Sequence, residues 1–251
     1  MFESFYLVVF AMVMGFVDSM LGMMYGTVLS PLLILIGYNV KSVIPAILIS
    51  QAVGCFVASY RHHQLKNANF QTGTTDHHVT TILIWSGVFA CVIGVFISVS
   101  ISPKILNTYI AVLIIVIALM ILSGKTLIMT SKKIYAFGFI SAFNKALSGS
   151  GFGPLVTGGQ LVFKDRSEKG AVGSAVFAAA SICLLSFFLW FLVNGLPPIN
   201  LMIPLCLGSM VGGFFGPMAL SKIGSKEILK KSLGVLVLIE GLFLLYKVWV
   251  T

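Results

Sequence analysis

Two short segments combine glycines, hydroxyl side chains and one charged residue inside otherwise apolar sequence: DSMLGMMYGT at 18–27 and NKALSGSGFGP at 144–154. Glycine lets a chain turn and lets a ligand approach the backbone. Where such a cluster opens a helix, the free N–H groups and the positive dipole end favour an anion, and hydroxyl, amide and ammonium groups add donors. We therefore predict a site for a small anion. The predicted binding residues are Gly22, Tyr25, Gly26, Thr27, Lys145, Ser148, Gly149, Ser150, Gly151, Gly153, Thr157 and Gln160.

The composition indicates what surrounds these segments. Of the 251 residues, 58% are hydrophobic and 9% are charged, with a mean hydropathy of +1.05. That is more apolar sequence than a soluble core of this size would bury, so we predict an all-α protein that crosses the lipid bilayer several times. The formal charge of +9 fits Lys and Arg in cytoplasmic loops and does not indicate nucleic acid as a partner.

Neither the cysteines nor the histidines indicate a metal site or another cofactor. The four cysteines fall in apolar runs without a CxxC pair, and we interpret them as packing residues. His62, His63, His77 and His78 all fall within RHHQLKNANFQTGTTDHH, and we predict them to be solvated in a cytoplasmic loop. The N-terminus has no positively charged n-region, so the first apolar run is predicted to remain in the protein.

Apolar runs long enough for a transmembrane helix define most of the chain. A bilayer core about 30 Å thick needs roughly 20 apolar residues of helix. Such runs occur at 42–60, 79–101, 105–123, 170–193, 200–221 and 229–250. Two further stretches, 5–37 and 134–163, are too long for one span, while each half alone is too short. We predict each to be a hairpin of two half-helices, broken at its glycine cluster.

The two halves of the chain resemble each other. Aligning Gly26 with Gly153 also brings Gly22 onto Gly149. Further on, KILNTYIAVLIIVIALMIL lies over EILKKSLGVLVLIEGLFLL with six identities. We predict a tandem repeat, in which each half is one broken hairpin followed by three spans. Its parts are a first repeat at 1–123, a cytoplasmic linker at 124–133 and a second repeat at 134–251.

Charge predicts the topology. If each hairpin enters and leaves on the same side, twelve of the sixteen basic residues lie on one side of the membrane and three on the other. This is a strong positive-inside signal, which puts both termini outside the cytoplasm. Each repeat then crosses three times, so the second is inverted relative to the first. Inverted repeats with broken helices are typical of transporters that bind substrate near the bilayer midplane.

Three charged residues are predicted at membrane depth, where a charge is unfavourable and usually functional. Asp18 and Glu240 are candidates for proton coupling, and Lys145 aligns with Asp18 in the repeat. Two interpretations of Asp18 and Lys145 stay open. They form a salt bridge that ties the hairpins together, or Lys145 contacts the anion while Asp18 positions it or takes up a proton.

The motifs also resemble a known family. DSMLGMMYGTVLSPLLILIG and NKALSGSGFGPLVTGGQ are similar to the paired glycine-rich motifs of the sulfite exporter TauE/SafE family, in the subset with DSMLGxxYGT and SGxGFGPxxTxGQ. Length, repeat and loop pattern agree over nearly the whole chain. The resemblance implies a plasma-membrane transporter that exports sulfite or a small organosulfur anion, with no enzyme activity. We further predict that the site lies near the middle of the membrane, between the glycine-rich tips of the two hairpins, and that transport occurs by alternating access.

Two other functions are compatible with the same residues. An anion channel would use the same helix N-termini without alternating access. Lys145 and Ser148 lie three residues apart on a predicted helix, which is the spacing of a base and a nucleophile in an intramembrane hydrolase. We expect the transporter rather than the hydrolase, because the sequence shows neither paired acids nor a histidine within a predicted span, whereas the channel stays open as an alternative.

Overall fold

The computed structural model describes residues 2–123, 131–160, 167–222 and 227–250. These ranges contain ten α-helices and no strand, which confirms an all-α fold for the described part of the chain. The helices are α1 Phe2–Leu21, α2 Tyr25–Ile36, α3 Val40–Gln64, α4 Thr75–Ser100, α5 Pro103–Ser123, α6 Ser131–Ser148, α7 Phe152–Gln160, α8 Glu168–Asn194, α9 Ile199–Lys222 and α10 Glu227–Val250.

Five of these helices, α1, α3, α4, α8 and α9, are long and apolar enough to cross a membrane. Helices α5 and α10 contribute the shorter apolar stretches Pro103–Val116 and Gly241–Val250. Large apolar side chains, among them Trp85, Phe89 and Leu192, are exposed on the outside of the bundle. An apolar surface of this extent suits lipid rather than water. The prediction of a multi-pass membrane protein is confirmed.

Both predicted interruptions are present. Residues 22–24 separate α1 from α2, and residues 149–151 separate α6 from α7. Helix α1 differs from the prediction, because its 20 residues extend about 30 Å at 1.5 Å per residue. The expectation that both arms of each hairpin are half-length is therefore wrong for α1, and also for α6, which has 18 residues. Helix α1 begins near the N-terminus and the break follows Leu21, so the 12 residues of α2 form the only short arm of the first hairpin.

The helices pack in matched pairs. Helix α1 packs on α9 and α6 packs on α4, while α3 packs on α9 and α8 packs on α4. Helices α3 and α8 pack on each other, as do α5 and α10. When each of the first five helices is exchanged for its counterpart among the last five, α1–α9 becomes α6–α4 and α3–α9 becomes α8–α4, while the α3–α8 and α5–α10 pairs are unchanged. The core lies along α3 and α8, where residues 43–48 and Trp190 are buried.

Each hairpin has one end away from its break, and these two ends lie near opposite ends of α8. The segment that follows α2 leads directly into α3, where the carbonyl oxygen of Lys41 accepts a 3.2 Å hydrogen bond from Asn194 at the end of α8. At the last residue of α7, Gln160 donates a 3.3 Å hydrogen bond to the carbonyl oxygen of Ala171 near the start of α8. Helix α8 has 27 residues, about 40 Å of helix, so these two contacts lie far apart.

The histidines correct one prediction. His62 and His63 lie in the last turn of α3, and His77 and His78 in the first turn of α4, so the connecting loop is shorter than predicted. His63 and His78 are exposed, but His62 is fully buried. The expectation that all four histidines are solvated is wrong for His62. Hydropathy does not separate a buried histidine from a solvated one, because its tertiary partners are remote in sequence.

His62 ties three helices together. Its Nε2 lies 2.9 Å from the carbonyl oxygen of Ser19 in α1, so this nitrogen carries the proton and donates. Its Nδ1 lies 3.3 Å from the side-chain amide nitrogen of Asn67. Asn67 also donates a 3.0 Å hydrogen bond to the carbonyl oxygen of Pro217 in α9. The end of α3 is thereby fixed to the last turn of α1 and to α9.

Replacing this buried ring should therefore destabilise the protein. We expect His62→Leu to lower the free energy of unfolding by about 2 kcal/mol, because the Asn67 amide and the Ser19 carbonyl lose a buried partner. The matched control is His63→Leu, an exposed neighbour whose change should stay within about 0.5 kcal/mol. Thermal unfolding of the purified protein in detergent measures both. Equal melting temperatures for the two variants would contradict the buried role of His62.

Candidate functional site

The two breaks are geometrically equivalent. Gly22 and Gly149 both have φ of 72°, in the left-handed region that favours glycine. Each N–H donates to the carbonyl four residues back, Gly22 to Asp18 at 2.6 Å and Gly149 to Lys145 at 2.8 Å. Asp18 and Lys145 therefore occupy the same position in the last turns of α1 and α6, in agreement with their alignment in the sequence.

The breaks also lie against each other. A Cβ added to Gly26 would collide with the carbonyl oxygen of Gly149, and a Cβ added to Gly153 would collide with the carbonyl oxygen of Gly22. The start of each short arm thus abuts the turn of the opposite hairpin. Close backbone packing accounts for glycine at both positions. Gly26 and Gly153 consequently have a structural role, whatever a ligand contacts.

Two hydroxyl groups reinforce this packing. Thr157 Oγ1 in α7 donates a 2.8 Å hydrogen bond to the carbonyl oxygen of Gly22. Ser30 Oγ in α2 donates a 3.2 Å hydrogen bond to the carbonyl oxygen of Ser148. Ser30 and Thr157 stand four residues beyond the glycines that the repeat aligns. The sequence predicts Thr157 as a binding residue but not Ser30, although the repeat alignment pairs the two positions.

The Asp18 carboxylate lies at the start of α2. Its Oδ1 accepts a 3.2 Å hydrogen bond from the backbone N–H of Tyr25, and its Oδ2 accepts a 2.9 Å hydrogen bond from Nε2 of Gln51. The Cys55 thiol lies 3.6 Å from Oδ2. Asp18 is buried, so these are its donors in place of water. A carboxylate of the protein thus occupies the helix N-terminus at which the sequence predicts a ligand.

The Lys145 ammonium group is also buried, with 2% of the side chain exposed. It donates to Oε1 of Gln51, and at 2.7 Å to the carbonyl oxygen of Gly149. A Cβ on Gly26 would lie 2.9 Å from this ammonium nitrogen, which places Nζ beside the first turn of α2. The positive end of a helix disfavours a neighbouring cation. The first turn of α2 is therefore a place where an additional anion would be stabilised.

Gln51 in α3 connects the two charged groups. Its amide nitrogen donates to Asp18 and its amide oxygen accepts from Lys145. Within the described residues, Asp18 and Lys145 form no direct ion pair. If Asp18 and Lys145 tie the two hairpins together, they therefore do so through Gln51 and not by a direct salt bridge. Gln51 is not among the residues that the sequence predicts, although a lone amide within the apolar run AILISQAVGC would have been a signal.

The serines near α7 bond locally. Ser148 Oγ donates a 2.7 Å hydrogen bond to the carbonyl oxygen of Asn144 and lies 3.0 Å from Ser150 Oγ. The backbone N–H of Ser150 donates to Ser148 Oγ at 3.2 Å. Ser148 and Lys145 thus bond to different partners. To act as nucleophile and base, Ser148 and Lys145 would both have to give up these hydrogen bonds and bond to each other.

Some of the other predicted residues lie close to the breaks and others lie away from them. Tyr25 and Thr27 are buried in the first turn of α2, and the Tyr25 hydroxyl donates a 2.9 Å hydrogen bond to Ser50 Oγ in α3. Gly151 is buried in the turn before α7. Gln160 lies at the far end of α7, away from the breaks, and contacts α8 as described above. The backbone of Glu240 belongs to α10, but its side chain is outside the described part of the structure.

The space beside Asp18 is small. A cavity of about 10 Å³ lies between α1, α2, α3 and α9, and is lined by Asp18, Gln51 and Ser209 among others. A cavity needs roughly 10–15 Å³ to hold one water molecule. A small oxyanion has several non-hydrogen atoms and does not fit there. The space beside Asp18 is therefore closed to such an anion in this structure.

Removing one of the hydroxyl contacts should loosen the contact between the breaks. Thr157→Val keeps the shape of the side chain but leaves the buried Gly22 carbonyl without this donor, so we expect a loss of about 1–3 kcal/mol in the free energy of unfolding. Thr81→Val is the control, because the Thr81 hydroxyl donates only to His77 O within its own helix. Thermal unfolding in detergent compares them. An unchanged Thr157→Val would show that this contact contributes nothing to the fold.

Comparison with known proteins places this geometry in a family. The sequence profile of the sulfite exporter TauE/SafE family matches residues 7–244, which run from α1 to α10 and include both breaks. No curated protein and no solved structure matches the chain. The match confirms the family resemblance, while the motif subset stays a prediction. The chain belongs to the sulfite exporter TauE/SafE family.

Proposed function

We propose that this protein exports sulfite or a small organosulfur anion by alternating access, with the anion bound between the two broken hairpins. Family membership supports a membrane transporter of this class. The observation that carries the proposal is the Lys145 ammonium group, buried beside the first turn of α2. Ionisable groups buried in membrane segments usually serve transport.

The charges around this point favour an anion. The N-terminus of α2 contributes about half a positive charge and Lys145 a full one. Asp18 contributes one negative charge and is bonded to the same helix start. The C-terminal end of α6, to which Lys145 also bonds, offsets the helix dipole of α2, so the positive groups that an anion meets are the Lys145 ammonium group and the N–H groups at the start of α2. An anion entering between the hairpins would therefore gain more from electrostatics than a neutral molecule or a cation would.

The closed packing of the two hairpins supports alternating access. The hairpins contact each other at glycines and at two hydroxyl groups, and the cavity beside Asp18 has room for about one water molecule. A transported anion must therefore separate the two hairpins, and it does so from one side of the membrane at a time. The small size of this cavity favours a carrier over an anion channel.

We further propose that the two halves are inverted repeats. The repeated helix order, the matched helix pairings and the position of the two hairpin ends near opposite ends of α8 all support this. Two hairpins that enter from opposite sides and meet at their breaks give each side of the membrane its own route to one site. Such symmetry is the simplest origin of two equivalent access states.

Proton coupling is the remaining part of the proposal. Asp18 is buried and bonded to α2 and α3, so anion binding and protonation at this carboxylate affect the same hydrogen bonds. Glu240 is a second candidate from its sequence position, in the middle of the apolar α10. The direction of export rests on the family resemblance, whereas the proton as coupled ion rests on the burial of Asp18 and the position of Glu240.

Replacing the buried ammonium tests the proposed site. We expect Lys145→Met to weaken sulfite binding by about tenfold to a hundredfold, because a charge-assisted hydrogen bond contributes about 1.5–3 kcal/mol. Sulfite flux into or out of proteoliposomes should fall in parallel. Lys41→Met is the control, since Lys41 donates to Val99 O at the end of α4, away from both breaks.

The Lys145→Met variant leaves Asp18 with fewer compensating charges, so its folding needs a separate check. Asp18→Asn combined with Lys145→Met removes both charges and should restore thermal stability without restoring sulfite binding. Calorimetric titration with sulfite measures binding directly. Recovery of sulfite transport by this double variant would show that Lys145 serves only as the counter-ion of Asp18.

The topology has its own test. In a cysteine-free background, a cysteine at His63 should react with a membrane-impermeant thiol reagent only from the cytoplasmic side. A cysteine at Pro198 should react only from outside. Both positions are exposed, whereas the neighbouring Pro197 is buried and unsuitable. The positive-inside distribution of Lys and Arg gives this expectation. Labelling of both cysteines from the same side would exclude the inverted-repeat topology.

A further inference from the structure

One amide side chain contacts both buried charges of the proposed site. Gln51 donates through Nε2 to Asp18 Oδ2 at 2.9 Å and accepts from Lys145 Nζ through Oε1. An ammonium group only donates and a carboxylate only accepts, so these neighbours fix the orientation of the amide. Gln51 is itself buried, with 6% of its side chain exposed. The amide is a neutral spacer that satisfies both charges.

Without this spacer, the two charges would be expected to pair. Opposite charges attract strongly where the surroundings have a low dielectric constant, and both Asp18 and Lys145 have flexible side chains. A direct pair would satisfy the Lys145 ammonium with a full negative charge. An incoming anion would then have to break that pair before it could bind. Contact with an amide oxygen is weaker, because the amide carries no net charge.

The position of Gln51 is set by a rigid part of α3. The neighbouring Ser50 accepts a 2.9 Å hydrogen bond from the Tyr25 hydroxyl, and its carbonyl oxygen accepts from Ser209 Oγ in α9. One turn further on, Cys55 lies on the same face of α3 and contacts Asp18. Contacts on both sides therefore fix this turn of the helix against α2 and α9.

We propose that Gln51 is a positioning residue that holds Asp18 and Lys145 apart and so keeps Lys145 available to the transported anion. This inference rests on the proposed anion site and deepens it. The role is distinct from ligand contact. If Gln51 acts by separating the two charges, it becomes dispensable once Asp18 no longer carries a charge.

The experiment compares Gln51→Met in two backgrounds, the native chain and Asp18→Asn. Methionine is unbranched and close to glutamine in length, but offers no amide. Calorimetric titration with sulfite gives the affinity, and size-exclusion chromatography with thermal unfolding checks the fold. We expect Gln51→Met alone to weaken sulfite binding at least tenfold. We expect Asp18→Asn to bind sulfite at least as tightly as the native protein, and Asp18→Asn with Gln51→Met to match Asp18→Asn within about threefold.

A structural role would give a different pattern, because removal of the Asp18 charge would not rescue lost packing. Persistent weak binding in the double variant overturns the inference, as does native-like binding by Gln51→Met or lost binding by Asp18→Asn. Gln64→Met is the control, since Gln64 is exposed at the end of α3. If Gln51→Met does not fold, Gln51→Asn replaces it, because its shorter amide does not reach both charges.

The proposed function and the role of Gln51 can be tested independently of each other. If the native protein binds neither sulfite nor a small organosulfur anion, or if Lys145→Met binds the same anion as well as the native protein, the anion site itself is wrong. If the native protein binds sulfite and Lys145→Met does not, the site stands. The comparison of the two Gln51→Met backgrounds then decides the role of Gln51 alone.

Discussion

The fold depends on how two buried helix breaks satisfy their backbone hydrogen bonds. No water is available in the bilayer core, so irregular chain persists there only when other protein groups supply its hydrogen bonds. Each break receives a hydroxyl donor from the opposite hairpin, Thr157 to the Gly22 carbonyl and Ser30 to the Ser148 carbonyl. Glycines at 26 and 153 allow the close approach that these bonds need. Each hairpin therefore completes the other.

This mutual packing also determines where the charges lie. Asp18 and Lys145 are equivalent in the two hairpins, since each accepts through its carbonyl oxygen from the glycine four residues later. Because the breaks lie side by side, the two side chains converge on one turn of α3. Burying a charge is unfavourable without partners. Gln51, the Tyr25 N–H and the Gly149 carbonyl supply those partners and leave the two charges unpaired with each other.

The sequence predicts the features that depend on local composition and misses those that depend on remote partners. Long apolar runs and glycine clusters mark the helices and both breaks, because lipid and backbone geometry act on neighbouring residues. The length of α1 is misjudged, since the helix continues through Asp18–Leu21, the first residues of the segment in which the sequence predicts the break. His62 and Gln51 are not recognised, because a polar residue in α3 reveals its role only through Ser19, Asp18 and Lys145.

Lys41, Lys145 and Lys247 each donate to a backbone carbonyl at a helix end, and Lys145 differs from the other two in one respect. Lys41 donates to Val99 O at the end of α4, Lys247 to Leu35 O at the end of α2, and Lys145 to Gly149 O after α6. A cation at a helix C-terminus is favourable, so each of these contacts stabilises a helix end. Lys145 differs because it is buried and lies beside the start of a second helix, α2, whose dipole opposes it. A lysine that only caps the end of α6 is not stabilised by lying beside the start of α2. A site that must attract an anion into the membrane gains from this position.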